Sequence, residues 1–137
     1  MKQAVLDTNI YIKHWQEGAY YENFSQCRKK FIIRQSSVVL HELRRGAKTS
    51  STVKLVETLK KVSSIIYTPT EKEWWKAGEI VQKLSKREGW EGNKIKEIQN
   101  DVLIALTAFH NGVTVITNNK TDFEKIQRAV KCTLEIW

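Results

Sequence analysis

Apolar residues follow two alternating rhythms along this chain. Short β-branched runs alternate with longer stretches in which apolar positions fall three and four residues apart. Residues 3–6 predict a first strand, and Thr8 to about Trp15 a helix that Gly18 breaks. Tyr20, Phe24, Cys27 and Phe31 predict a helix over 19–33. Gln35–Val39 predicts a second strand that passes into a helix carrying Glu42. Ser50–Val62 predicts an amphipathic helix with Val53, Val56 and Leu59 on one face. Ser64–Tyr67 predicts a third strand, closed by Pro69, the only proline. Thr70-x-x-Glu73 is a capping box that opens a helix to about Lys86, with Trp74, Ile80, Val81 and Leu84 on its apolar side. The polar stretch Arg87–Lys96, with Gly89 and Gly92, predicts a loop.

The most ordered pattern lies near the end. Val102, Leu103, Ala105, Leu106 and Phe109 predict a helix over 98–110, with Asp101 near its head. Asn111-Gly112 stops it, because glycine takes the left-handed turn without strain. Residues 113–117 predict a strand covered on both faces, and 118–121 a polar loop. Asp122 predicts the start of a helix to about Arg128, and 130–136 a final edge strand. Strands alternating with helices over 137 residues predict one α/β domain spanning 1–137. Its sheet is expected to have four to five strands, mainly parallel, with helices on both faces.

Composition adds a chemical clue. The chain has 15 acidic residues, but only Asp7, Asp101 and Asp122 are aspartates. All three fall at junctions between apolar elements. Glu42 differs from the other glutamates in lying between Leu40 and Leu43. Taken singly, Asp101 and Asp122 are each better explained as a helix cap or first-turn residue than as a catalytic group. Together, four carboxylates in similar settings predict one acidic cluster at the carboxyl end of the sheet, where α/β proteins keep their ligands. Clustered carboxylates repel one another, and a hard cation held by oxygens relieves that repulsion.

The segments Leu6-Asp-Thr-Asn9, Glu42 to Gly46, Asn100-Asp-Val-Leu-Ile-Ala105 and Ile116-Thr-Asn-Asn-Lys-Thr-Asp-Phe123 occur in an order and spacing that resembles the PIN-domain family. The VapC-type toxin ribonucleases are the part of the family it resembles most, from about Gln3 to Leu134. The resemblance implies a PIN-like, Rossmann-like α/β/α sandwich. It also implies a Mg²⁺- or Mn²⁺-dependent endoribonuclease, the toxin of a type II toxin–antitoxin pair. Asp7, Glu42, Asp101 and Asp122 match the family's acidic residues as metal ligands and catalytic groups. Thr117 and Asn119 match polar positions that hold the cluster by hydrogen bonds. Asn118 departs from the pattern, since many members carry arginine there. The implied partners are an RNA substrate (transfer or ribosomal RNA), a small antitoxin protein and a second copy of the chain in a homodimer.

Charge and the remaining residues bear on that expectation. The formal net charge is +8, which suits a polyanionic substrate and equally a soluble protein with an acidic partner. Arg28, Lys29 and Lys30 form a basic cluster, best read as a solvated helix face. Arg44, Arg45 and Lys48 follow Glu42 and face either RNA phosphate or an antitoxin carboxylate. Trp74 and Trp75 are expected in the core or a dimer surface, and Trp90 is an exposed aromatic open to RNA or a partner. His14, His41 and His110 have no motif context, which argues against a histidine-pair ribonuclease. Cys27 and Cys132 lack metal or redox spacing and are expected as buried thiols. With no signal peptide pattern and no apolar run of membrane length, a cytoplasmic protein without membrane attachment is expected. The alternatives are a stand-alone PIN nuclease acting in RNA maturation or on DNA, and a catalytically silent partner of an antitoxin.

Overall fold

The computed structural model describes all of residues 1–137. The chain forms β1 (Lys2–Leu6), α1 (Thr8–Glu17), α2 (Tyr21–Lys30), β2 (Phe31–Ser36), α3 (Ser37–Gly46) and α4 (Ser50–Lys61). It continues through β3 (Ile66–Tyr67), α5 (Glu71–Glu88), α6 (Asn93–His110), β4 (Thr114–Thr117), α7 (Lys120–Ala129) and β5 (Leu134–Ile136). The five strands form one sheet in the order β3-β2-β1-β4-β5, and every pairing is parallel.

Parallel strands need crossovers, and helices supply them on both faces. The middle of the sheet accordingly has no wet side: Ala4, Val5, Leu6, Val115 and Ile116 are all buried. Strand order runs outward in opposite directions from β1 and β4. The crevice at their carboxyl ends is therefore the switch point where α/β sheets bind ligands. Asp7 N donates to Ile116 O at 2.8 Å and ties the two strand ends together. The α6 segment Val102–Ala108 is buried throughout and packs with Phe123 and Ile126 of α7. Phe109, expected on that apolar face, instead lies exposed near the helix end.

Two boundaries differ from the sequence-based expectation. The helix predicted over 19–33 ends at Lys30, and the strand predicted over 35–39 is β2 at 31–36. Phe31-Ile-Ile33 pairs with β1, with Ala4 opposite Ile33. Ser36 then accepts a hydrogen bond from Val38 N, so Val38 and Val39 begin a helix despite their β-branched side chains. The predicted loop 87–96 shrinks to a short break. Gly89 ends α5 in the left-handed conformation, at φ 71°, and α6 starts at Asn93. Asp101 thus lies in the middle of a long helix rather than at its head.

The remaining differences are shifts of one to four residues at element ends. The capping box is present as predicted. Thr70 Oγ1 accepts from Glu73 N at 3.1 Å, and Glu73 Oε1 accepts from Thr70 N at 2.8 Å. Replacing Thr70 with alanine is expected to cost about 1 kcal/mol and lower Tm by roughly 3–5 °C in a thermal melt.

Candidate active site

Each of the four expected acidic residues is delivered to the switch point by a different element. Asp7 follows the last residue of β1 and is the N-cap of α1. Thr8 N donates to its Oδ1 at 2.8 Å, and the Thr117 hydroxyl at the end of β4 donates to Oδ2 at 2.9 Å. Glu42 rises from the middle of α3. Its Oε1 accepts from the Thr8 hydroxyl at 2.7 Å and its Oε2 from Asn100 Nδ2 at 3.2 Å. Asp101 projects from the middle of α6, next to Asn100. Asp122 lies in the first turn of α7, where Asn119 is the N-cap. Asn119 Oδ1 accepts from Asp122 N at 3.3 Å, while its Nδ2 donates to Asp122 Oδ2 at 2.9 Å. Asn119 N in turn donates to Thr117 Oγ1 at 3.0 Å, which joins the Asp7 and Asp122 sides of the cleft.

The electrostatics place the charges of Asp7, Glu42 and Asp122 within reach of Asp101. Burial raises the Asp7 carboxyl to about 6; the bonds from Thr117 and Thr8 oppose the rise and the Glu42 charge adds to it. Asp101 is raised well above the ordinary carboxylate value, first by desolvation and then by the charges of Asp7, Glu42 and Asp122. For Asp122, burial pushes upward, but the bonds from Lys94 and Asn119 outweigh it and leave the carboxyl below its usual value.

Lys94 is the group that sequence reasoning missed. Its ammonium bonds Asp122 Oδ2 and also lies 5.3 Å from the centre of the Trp90 ring. Lys125 lies 5.4 Å from the same ring. Trp90, expected as an exposed aromatic, is half-buried and packed against the core, where it seats both cations. Lys94 was hidden because the polar stretch around it resembled a loop. Thr8 and Asn100 were visible inside the Asp-Thr-Asn and Asn-Asp segments, but nothing in the sequence told that both bond Glu42. Lys94→Met is expected to raise the Asp122 pKa, measured by carboxyl NMR titration, because it removes the main group holding that carboxyl ionised.

Other candidates fall outside the cleft. His14 Nδ1 accepts from Tyr20 N, His110 lies 2.7 Å from the buried Glu73, and neither bonds any of the four acids. Asn118, the departure from the expected arginine, donates to the Tyr20 hydroxyl at 3.1 Å. Trp74 and Trp75 are exposed, so neither belongs to the core of this chain. Cys27 and Cys132 are buried free thiols.

No three His, Cys, Asp or Glu side chains converge closely enough to grip one metal ion together. That arrangement still fits Mg²⁺ or Mn²⁺. Mg²⁺ commonly takes one or two carboxylates and fills its remaining positions with water and phosphate. Asp7 and Asp101 are the donors suited to this: both carry raised pKa values that a cation would relieve, and no side chain bonds Asp101. Asp122 already has Lys94 and Asn119 on one oxygen.

An all-parallel sheet with acidic side chains gathered at its switch point defines an α/β protein with an acidic cleft at the carboxyl ends of its central strands. The PIN domain matches residues 4–129. The chain belongs to the PIN-domain family and is of the VapC type. It is 31% identical to Ribonuclease VapC2 of Rickettsia felis, a similarity covering 97% of this chain and 96% of that protein. Its structure is similar to that of VapBC2 from Rickettsia felis bound to a DNA fragment from their promoter. The TM-score is 0.70 at 28% identity, with 98% of each chain covered. The fold also matches VapBC-1 of nontypeable Haemophilus influenzae, with a TM-score of 0.72 at 22% identity over 98% of this chain and 97% of that one.

Proposed function

We propose that this chain is a metal-dependent endoribonuclease and the toxin of a toxin–antitoxin pair. The observation that carries the reading is the acidic cleft itself: Asp7, Glu42, Asp101 and Asp122 meet at the carboxyl ends of β1 and β4, and the charges of the other three raise the Asp101 carboxyl. Similarity to Ribonuclease VapC2 supports RNA as the substrate. Similarity to VapBC2 supports a small antitoxin as the partner. No helix is long and apolar enough to cross a membrane. The reading includes work in the cytoplasm, on transfer or ribosomal RNA. A homodimer is part of the proposal.

A bound Mg²⁺ or Mn²⁺ supplies Lewis acidity, making water a better nucleophile and offsetting charge on the phosphoryl oxygens. The residues do the rest. Asp7 and Asp101 would hold the cation, with Asp122 as a further ligand directly or through water. Thr117 fixes Asp7, and Asn119 fixes Asp122. Glu42 is clamped by Thr8 and Asn100, which orients it to take a proton from the attacking water. Lys94 lies where it can share its charge between Asp122 and a phosphate oxygen. Water oxygen bonds phosphorus, the P–O3′ bond breaks, and O3′ takes up a proton.

The ends of the products test this chemistry. Water attack is expected to leave 5′-phosphate and 3′-hydroxyl ends, read by ligation and phosphatase sensitivity. Cyclic 2′,3′-phosphate ends would instead assign the attack to the ribose hydroxyl and remove the role given to Glu42.

A further inference from the structure

Beside the acidic cleft lies a second cavity of about 520 Å³, within the size range of small-molecule sites. Two helices supply most of its wall. Ser37, His41 and Arg45 follow one another at four-residue spacing on α3, and Lys96, Asn100 and Leu103 form a similar stripe on α6. Trp74 stands at the rim, 51% exposed, on the first turn of α5. That turn is fixed by the Thr70 cap, and Trp74 N itself bonds Thr70 O at 2.9 Å. Asn100 links the cavity to the acidic site: it lines the cavity and donates to Glu42 at 3.2 Å.

From this geometry we infer that the cavity is a subsite for single-stranded RNA, taking a nucleotide next to the one that is cut. The assignment rests on the nuclease reading and specifies where its substrate lies. Trp74 offers an aromatic face to a base, and Gln99 and Asn100 offer amides to its edge. Arg45 and Lys96 are exposed cations for the adjoining phosphates. No carboxylate lines the cavity, and neither Arg45 nor Lys96 forms an ion pair within the chain. A polyanion with flat bases meets both features of the wall.

The test measures binding apart from cutting. Fluorescence anisotropy of a labelled single-stranded RNA of mixed sequence is followed in EDTA, with the intact protein and its variants. Trp74→Ala is expected to weaken binding roughly 5- to 100-fold. The double variant R45Q/K96Q is expected to lower the slope of log K against log salt by about 1.4, since each phosphate contact on a single strand contributes about 0.7. Equal binding by the parent and both variants, or no binding by any, overturns the subsite. A Trp74→Ala variant that changes oligomeric mass by light scattering but not RNA affinity also overturns it, and assigns the face to a protein partner. Metal-dependent cleavage is scored separately. If it is absent from every RNA while Trp74-dependent binding persists, the nuclease reading fails, and the cavity stands only as a binding site for single-stranded RNA.

Discussion

Asp101→Asn is expected to abolish RNA cleavage while leaving the protein at least as heat-stable as its parent. The two halves of this result have one cause. Asp101 lies among Asp7, Glu42 and Asp122, and both desolvation and their charges raise its pKa well above normal. An ionised or reluctantly protonated carboxylate there costs folding energy, and a neutral amide of the same shape does not. For catalysis the same replacement removes one of the two carboxylates proposed to hold the cation. Losing only an outer partner of a ligand costs about 10–100-fold, so losing the ligand is expected to cost well over 100-fold. Cleavage rate and Tm, measured on one preparation, check the result. Full activity, or a variant that unfolds, would show that Asp101 serves packing rather than chemistry.

The second large effect is on pH and metal. Without divalent cation, stability is expected to fall as pH rises from about 4 to about 7. The folded Asp7 carboxyl has a pKa of about 6 against an ordinary 3.8, so the folded state holds its proton more tightly than the unfolded chain does. That preference is fully present below pH 3.8 and is lost as pH rises through 6, a difference on the order of 3 kcal/mol. Asp101 acts in the same direction. Added Mg²⁺ or Mn²⁺ competes with these protons and binds the folded state. It should therefore raise Tm clearly at pH 8 and little at pH 5. Scanning calorimetry at both values decides: an equal metal effect at pH 5 and pH 8 would mean that Asp7 is not a ligand.

The fold was legible where pattern and packing agree. The buried strands 3–6 and 113–117 stood out because a central parallel strand is apolar on both faces, and only their end residues moved. The Thr70–Glu73 box was visible because its two hydrogen bonds are local. Boundaries failed where tertiary contacts decide. Phe31-Ile-Ile33 continues the spacing of α2, and only pairing with β1 makes it a strand. Val38 and Val39 favour a strand in isolation, and only the Ser36 cap and the core make them helical.

The site shows the same division. Asp7, Glu42, Asp101 and Asp122 were readable from their unusual settings, and the structure gathers them at the carboxyl ends of β1 and β4. Their supports were less readable, because a bond from Thr8 to Glu42 spans 34 residues and one from Asn100 to Glu42 spans 58. Lys94 was unreadable for a further reason. A lysine in a polar stretch announces nothing, and its place against Asp122 depends on α6 beginning five residues earlier than its apolar residues indicate.

The most direct test of the central claim is cleavage of RNA by the purified, folded protein without antitoxin, in EDTA and then after adding back Mn²⁺ or Mg²⁺. The account predicts no cutting in EDTA and discrete cuts once the cation is restored. Cutting that persists in EDTA would contradict it, because the acidic cleft would then have no part in the chemistry.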